Sequence, residues 1–252
     1  MRFRLAAPAD PLYDPLVAAS TDRADIRLLR VSPEACAELL MAGRVEAALL
    51  SPLDYGKANG IVDYRILPGP ALAFEGYTQR VWLYFRPGLR TITRCATPST
   101  QHFLAQALRL LFAEAYDTEL QLLDMPVSGV SETLHSADAV LSWREDLPNL
   151  SRLDIGEEWF SAFGYALPIA FWSCRAEVAS KELVAAITEL AHPQLPESEA
   201  VTEPSPYRQG TIHWRWNETV GNALRETLLL LYYHQLVPHI SEVKPWDGSM
   251  PE

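Results

Sequence analysis

Residues 97–100 (TPST) combine hydroxyl side chains with the signals of a helix start. Thr97 is the expected N-cap and Pro98 the expected first helical residue. The N–H groups of Ser99 and Thr100 then have no partner within the helix. Because they stand at the positive end of the helix dipole, such groups bind carboxylates. The pattern predicts either a carboxylate site at Ser99 and Thr100 or an ordinary capped helix, and the residues alone favour neither.

Three further side chains are candidates for binding an anionic substrate. Ser51 directly follows a buried strand pattern, where α/β proteins place ligands, and it equally fits a helix N-cap before Pro52. Arg80 and Arg144 stand beside apolar strand patterns. An arginine can hold a carboxylate through two parallel hydrogen bonds, although most arginines in such positions are surface or structural residues.

No motif for a metal or a cofactor is present. The six histidines are scattered and form neither an i, i+4 pair on a helix nor a cluster with cysteines. The chain has no G-x-G-x-x-G, no phosphate-binding loop of the Walker type and no G-x-S-x-G. The sequence therefore predicts no metal site and no cofactor.

Strand and helix patterns alternate along the chain, which predicts an α/β fold. The predicted strands are 2–6, 25–31, 45–50, 64–67, 71–74, 81–85, 91–97, 137–141 and 169–173. One helix is predicted to begin at Ser32-Pro33-Glu34 and to end at Gly43. Further helices are predicted at 98–114, 157–163, 177–191 and 217–236, with a loop at 192–206.

Composition and charge exclude several classes of protein. The 252 residues are 48% hydrophobic, which is typical of a globular protein, and no apolar stretch reaches the ~20 residues of a membrane span. A formal net charge of -11 argues against nucleic-acid binding, and it requires local cations wherever an anion binds. The three widely spaced cysteines and the lack of a signal-peptide pattern predict a cytoplasmic protein with no membrane association.

Four stretches resemble one family in their order and spacing. They are 43–55 (GRVEAALLSPLDY), 76–85 (GYTQRVWLYF), 136–141 (SADAVL) and 153–172 (LDIGEEWFSAFGYALPIAFW). These are similar to the patterns G-x-x-D-x-x-x-x-S-S-x-E-Y, G-x-V-x-S-V-x-L, G-D-A-A-L-L-I-G-D and D-L-G-x-x-W … T-G-L-P-F-V-x-A-x-W. All four patterns belong to the chorismate dehydratases of menaquinone biosynthesis by the futalosine pathway and to their 1,4-dihydroxy-6-naphthoate synthase relatives.

The resemblance implies a two-lobed fold of the type II periplasmic-binding-protein class, with mixed sheets, flanking helices and a hinge of two crossing strands. The expected lobes are 1–85 with 173–252, and 86–172. A cleft between the lobes is the expected ligand site.

The resemblance also bears on the site residues. In the family, the position matching Ser51 lines the cleft and the pair matching Ser99 and Thr100 contacts the substrate, whereas Trp143-Arg144-Glu145 replaces the family's I-G-D. The family carries an L-N-x-x-P-L motif whose Asn contacts the substrate. Residues 7–16 (APADPLYDPL) contain no Asn, and their Pro15-Leu16 matches the end of the motif. Asp10 or Tyr13 is therefore expected near the position of the missing Asn. Asp10 is either a candidate general base or a turn-forming residue.

Two functions follow from the resemblance. The first is a carbon–oxygen lyase (hydro-lyase) that dehydrates chorismate to 3-[(1-carboxyvinyl)oxy]benzoate, and the absence of a leader favours it. The second is a non-catalytic binding or sensing protein for a small anionic ligand, and the absence of the Asn favours it. The naphthoate synthase reaction is a third option, but no histidine stands where its base is expected. A small carboxylate such as chorismate is the expected partner, and a homodimer remains open.

Overall fold

The chain divides into two units in the computed structural model, which describes residues 3–19, 25–58, 60–125, 129–144 and 146–248. Unit 1 comprises Met1–Ala73, Pro168–Glu199 and His213–Glu252, and unit 2 comprises Phe74–Leu167 and Ala200–Ile212. The chain thus passes between the units at 73/74, 167/168, 199/200 and 212/213. The lobes expected from the sequence were divided at 85/86 and 172/173, and the expected hinge had two strands.

Strands and helices alternate through most of the chain, so the predicted mixed α/β class is confirmed. The strands are β1 (Phe3–Pro8), β2 (Ile26–Val31), β3 (Ala47–Leu50), β4 (Tyr64–Gly76), β5 (Trp82–Phe85), β6 (Arg94–Thr97), β7 (Gln121–Asp124), β8 (Ala139–Ser142), β9 (Arg152–Asp154), β10 (Leu167–Arg175), β11 (Ser198–Pro204) and β12 (Tyr207–Arg215). The α-helices are α1 (Pro33–Met41), α2 (Pro52–Ala58), α3 (Phe103–Tyr116), α4 (Val130–Thr133), α5 (Ile155–Phe163), α6 (Lys181–Thr188) and α7 (Glu218–Tyr233), and Pro11–Leu16 and Ala176–Val178 form short 3-10 helices. None of the helices in the described ranges is long and apolar enough to cross a membrane.

A seven-stranded sheet in the order β11-β12-β4-β10-β3-β1-β2 contains β1, β2 and β3 of unit 1, whereas β4, β10, β11 and β12 each have residues in both units. In it β1 lies between β2 and β3 and runs parallel to both, and β10 is antiparallel to β3. All four residues of β3 are buried, as expected for a strand covered on both faces. Helix α1 begins as predicted, with the Ser32 hydroxyl accepting a hydrogen bond from the Ala35 N–H and Pro33 in the first turn.

A five-stranded sheet in the order β7-β6-β8-β5-β9 organises unit 2. Its β6 runs parallel to β7 and β8, and β5 is antiparallel to β8 and β9. An aromatic-rich core includes Tyr77, Trp82 and Tyr84, which are at most 2% exposed. Helix α3 packs against α5.

Two sequence predictions fail in the strands. Residues 64–67 and 71–74 form one strand, β4, that continues through Pro68-Gly69-Pro70. The partners of β4 change at this point: the carbonyl of Ile66 accepts the Trp246 N–H, whereas the carbonyl of Gly69 accepts the Trp216 N–H. Pro68 has no N–H group to donate, and it lies between Ile66 and Gly69, where β4 passes from one partner to the other.

The second failure concerns residues 192–206, which were predicted to form a loop. They contain the edge strand β11, whose residues alternate between exposed and half-buried. Its glutamates and terminal proline are typical of an edge strand that resists further pairing. The same residue types are common in loops, which is why the sequence predicted a loop here. Arg2, where the first strand was predicted to begin, lies outside the described residues.

Gly210 of β12 permits a close backbone approach in unit 2. A Cβ atom at this position would overlap the backbone of Tyr77 and the carbonyl of Glu75. At Gly156 in α5, a Cβ atom would lie 2.6 Å from the carbonyl oxygen of Gly76. Backbone atoms cannot move aside as a flexible side chain can, so these two positions require glycine.

We therefore expect Gly210→Ala to lower the free energy of unfolding by about 3 kcal/mol through overpacking. Gly221→Ala is the matched control, because Gly221 lies within α7 and its Cβ would approach only the Trp216 ring, at 3.4 Å. The control should raise the free energy of unfolding by about 0.5–1 kcal/mol. Urea unfolding measures both, and equal effects of the two substitutions would contradict the packing at Gly210.

Candidate functional site

The carboxyl ends of β1 and β3 form the first candidate site, within unit 1. After β1 the chain turns to β2 on one side, and after β3 it leaves through α2 towards β4 on the other side. A crevice where connections diverge in this way is the usual ligand site of an open α/β sheet. Asp10 follows β1 by two residues and Ser51 follows β3 directly, so the fold brings both to this edge.

Asp10 and Tyr13 have structural tasks at this edge. The Oδ1 of Asp10 accepts a hydrogen bond of 3.0 Å from the Leu12 N–H and caps the 3-10 helix, as its turn-forming alternative predicted. Tyr13 is 2% exposed, and burial, followed by the negative charges of Asp10 and Asp54, raises the pKa of its phenol well above 10.0. The phenol therefore stays protonated at neutral pH and is unsuited to accept a proton.

Ser51 forms a reciprocal pair with Asp54 at the start of α2. The Ser51 hydroxyl accepts the Asp54 N–H at 3.2 Å and donates to the Asp54 Oδ2 at 2.7 Å, so the capping alternative is confirmed. The pKa of Asp54 is raised from 3.8 to about 6, mainly by burial and to a smaller extent by Glu34, against the lowering effects of Ser51 and Lys57. A carboxyl group that titrates near neutral pH can both donate and accept protons.

Asp54 was not predicted as a functional residue. Its signal lay within the segment 43–55, where Ser51 and Asp54 have the spacing of a capping box before an apolar helix. That spacing predicts the hydrogen bonds of Asp54. The raised pKa depends on burial by elements distant in sequence.

The carboxyl ends of β6 and β8 form a second candidate site, within unit 2. The chain leaves β6 through α3 towards β7 and leaves β8 in the other direction, towards β9. Ser99 and Thr100 follow β6, and Arg144 follows β8. Since Trp82 of β5 pairs with Ser142 of β8, Arg80 also lies at this edge.

Helix α3 does not begin where the sequence predicted. Thr97 is the last residue of β6, paired with Asp124 of β7, and the N-cap is His102. The Thr100 N–H donates to the Asp124 carboxylate at 3.3 Å, and its carbonyl accepts from the Gln106 amide at 2.8 Å. The prediction of a helix tip at Ser99 and Thr100 is therefore wrong, because pairing with β7 keeps Thr97 extended and residues 98–102 form a turn before the helix.

His102 and Trp143 were missed by the sequence analysis. Their rings stack with centroids 4.4 Å apart, and both residues are buried. The Nδ1 of His102 accepts the Leu104 N–H at 3.2 Å, which places the ring proton on Nε2. A histidine immediately before an apolar helical pattern was the available signal for the N-cap, but the stacking depends on the β6–β8 pairing.

Arg80 and Arg144 are exposed cations at this edge. The Arg144 N–H donates to the Ser142 hydroxyl at 3.3 Å, which fixes the backbone after β8. Asp154, which is 0% exposed, accepts the N–H groups of Thr78 and Gln79 at 3.2 and 2.6 Å and so holds the turn before Arg80. Among the described residues, no group of His, Cys, Asp and Glu side chains could hold a metal ion.

The pKa of Asp54 predicts a pH dependence of stability. The unfolded chain loses this proton near pH 3.8 and the folded chain near 6, so ionisation of Asp54 lowers the free energy of unfolding as the pH rises through that window. The total loss is roughly 3 kcal/mol. Asp54→Asn should remove this fall, as measured by urea unfolding from pH 4 to pH 7. Parallel curves for the variant and the wild type would contradict it.

A part of the slope should persist in the variant. Asp154 contributes it, because burial raises the pKa of its carboxyl group from 3.8 to about 6, against the hydrogen bonds from Glu157, Gln79 and Thr78. The comparison therefore rests on the difference between the two curves.

Solved structures of low sequence identity share this fold. A protein from Archaeoglobus fulgidus matches with a TM-score of 0.64 at 15% identity, covering 94% of this chain and 98% of that one. The periplasmic aliphatic sulphonate binding protein SsuA from Escherichia coli matches with a TM-score of 0.55 at 10% identity, covering 96% and 95%. The alkanesulfonate-binding protein SsuA from Xanthomonas axonopodis, bound to MOPS, matches with a TM-score of 0.51 at 12% identity, covering 96% of each chain. The predicted type II periplasmic-binding-protein fold is thereby confirmed.

Comparison with curated proteins gives no match. A family model described as "Menaquinone biosynthesis" matches residues 6–204, which include the candidate site residues of both units. The chain therefore belongs to the menaquinone biosynthesis family, as its resemblance to the chorismate dehydratases predicted.

Proposed function

We propose that this protein is a lyase that removes water from chorismate and releases 3-[(1-carboxyvinyl)oxy]benzoate. Membership of the menaquinone biosynthesis family is the observation that carries the proposal. Each unit also carries, at one edge of its own sheet, groups whose chemistry such a reaction can use.

The reaction defines what the protein has to supply. A proton leaves the ring carbon that bears the ether, hydroxide leaves the neighbouring carbon, and a carbon–carbon double bond forms that makes the ring aromatic. The hydroxide departs as water when it receives a proton. Because aromatisation drives the elimination, the protein needs to bind the two carboxylates, accept one proton and donate another.

The edge of unit 2 is suited to the carboxylates. Arg80 and Arg144 are exposed there, and Ser99 and Thr100 add half-buried hydroxyl groups. Guanidinium groups bind carboxylates through paired, charge-assisted hydrogen bonds. These two arginines provide the local positive charge that anion binding requires in a protein with a net charge of -11.

The edge of unit 1 is suited to proton transfer. Asp10 is the proposed proton acceptor, and the Ser51–Asp54 pair is the proposed donor to the departing hydroxyl group. Asp54 supports this assignment, since its pKa of about 6 allows both protonation states near neutral pH. Tyr13, a candidate from the sequence, receives a supporting role here because its phenol is buried and stays protonated.

Incubation of the purified protein with chorismate tests the activity. We expect loss of chorismate and an equal gain of the aromatic ether, separated by liquid chromatography and followed by ultraviolet absorbance. If no product forms but chorismate raises the melting temperature, the result would support the non-catalytic binding protein instead. Absence of both effects would refute both functions.

Arg80→Ala and Arg144→Ala test the carboxylate site. Each should weaken chorismate binding by about 1.5–3 kcal/mol, or roughly 10- to 150-fold in Kd, as measured by calorimetry. Arg90→Ala is the matched control, because Arg90 is exposed and follows the end of β5, which lies beside the start of β8 and so opposite to the carboxyl ends of β6 and β8. A loss of affinity equal in all three variants would contradict the site.

A further inference from the structure

Arg30 connects the edge strand β2 to the segment that follows β1. It pairs across the sheet with Ala7, and its guanidinium group reaches past the end of β1. Its Nε and Nη2 donate to the carbonyl oxygen of Pro8 at 3.0 and 2.8 Å. Its Nη2 also donates to the Asp14 carboxylate at 2.7 Å and to the carbonyl of Asp10 at 3.4 Å.

These contacts span the whole turn that carries the proposed proton acceptor. Pro8 precedes Asp10 and Asp14 follows it, so one side chain holds both ends of the turn and the backbone of Asp10 itself. Within the turn, the Tyr13 N–H donates to the Asp10 carbonyl at 3.1 Å. One backbone hydrogen bond, from the Ala9 N–H to the Val31 carbonyl at 2.7 Å, adds to the link with β2.

The geometry points to Arg30 as a positioning residue for the proposed reaction: we propose that it sets the direction of the Asp10 carboxylate without touching the substrate. This inference rests on the proposed function. Two acceptors of different kinds, a carbonyl and a carboxylate, require the planar fork of a guanidinium group, and the point charge of a lysine cannot serve both in the same way.

A purely structural role predicts a different outcome. The ion pair is solvent-accessible, with side-chain exposures of 33% for Arg30 and 57% for Asp14, and such pairs contribute little to stability. The loss of Arg30 should therefore leave the fold intact. A small displacement of a catalytic group, in contrast, lowers the rate strongly, by about 100-fold for 1 Å.

Kinetics of Arg30→Ala, Arg30→Lys and Arg27→Ala separate these outcomes. Arg27 is the control, since it lies on the same strand, is exposed and pairs across the sheet with Arg4. We expect Arg30→Ala to lower kcat by roughly 10- to 100-fold with little change in KM. Arg30→Lys should recover part of this loss, and Arg27→Ala should resemble the wild type. An unchanged kcat in Arg30→Ala, or equal losses of kcat in Arg30→Ala and Arg27→Ala, overturns the inference.

Amide hydrogen exchange provides a readout that does not depend on the activity. Exchange at Leu12, Tyr13 and Val17, whose N–H groups are bonded within this turn and its helix, should be faster in Arg30→Ala than in Arg27→Ala. Equal exchange in the two variants overturns the inference even if the wild type does not convert chorismate. An inactive wild type with faster exchange in Arg30→Ala refutes the proposed function while retaining Arg30 as the residue that orders the turn.

Discussion

Two adjacent parallel strands whose connections leave in opposite directions cannot be covered at their carboxyl ends by their own chain. This constraint applies twice, at β1 and β3 in unit 1 and at β6 and β8 in unit 2. The strands themselves are almost entirely apolar and buried: all four residues of β3 and of β8 are inaccessible. Polar and charged groups are therefore confined to the strand ends, where the backbone is held rigidly by the sheet and the side chains remain within reach of a ligand.

The two edges differ in charge. Carboxylates dominate the edge of unit 1, where Asp54 is buried enough for its pKa to rise to about 6. Arginines dominate the edge of unit 2, where Asp154 and Ser142 fix the backbone beside them. An elimination from a dicarboxylate uses both kinds of group. The proposed roles, proton transfer for Asp10 and Asp54 and carboxylate binding for Arg80 and Arg144, follow from this difference, and the orientation of Asp10 by Arg30 is then a condition for the rate.

Local signals in the sequence predicted most of the fold. Helix α1 begins at Ser32 and Pro33 as expected, and α7 begins after the predicted first residue, Asn217, which is its N-cap. The same kind of signal misled at Thr97-Pro98, because a strand that must pair with β7 overrides the local preference for a helix start. Pro68 and Pro70 misled in the opposite direction, since β4 exchanges one pairing partner for another at this point. The prediction failed where pairing between distant segments decided the outcome.

The candidate site was predicted only in part, for a related reason. Ser51, Arg80 and Arg144 could be chosen from the sequence because each stands beside a strand pattern, and the fold places each at a carboxyl-end edge. The proposed roles of Asp54 and Arg30 could not be predicted from the sequence. Burial by other elements determines the pKa of Asp54, and Arg30 acts on a turn that is 16 residues distant at Asp14. Both effects depend on tertiary structure.

Amide hydrogen exchange with and without chorismate most directly tests the central claim, that the substrate binds at the carboxyl ends of parallel strands. We expect slower exchange on ligand addition in the segments that follow β1, β3, β6 and β8 and in the turn before β5, with no change at the end of α7. Slower exchange confined to the residues after α7, or a ligand that binds without protecting any of the strand ends, would contradict it.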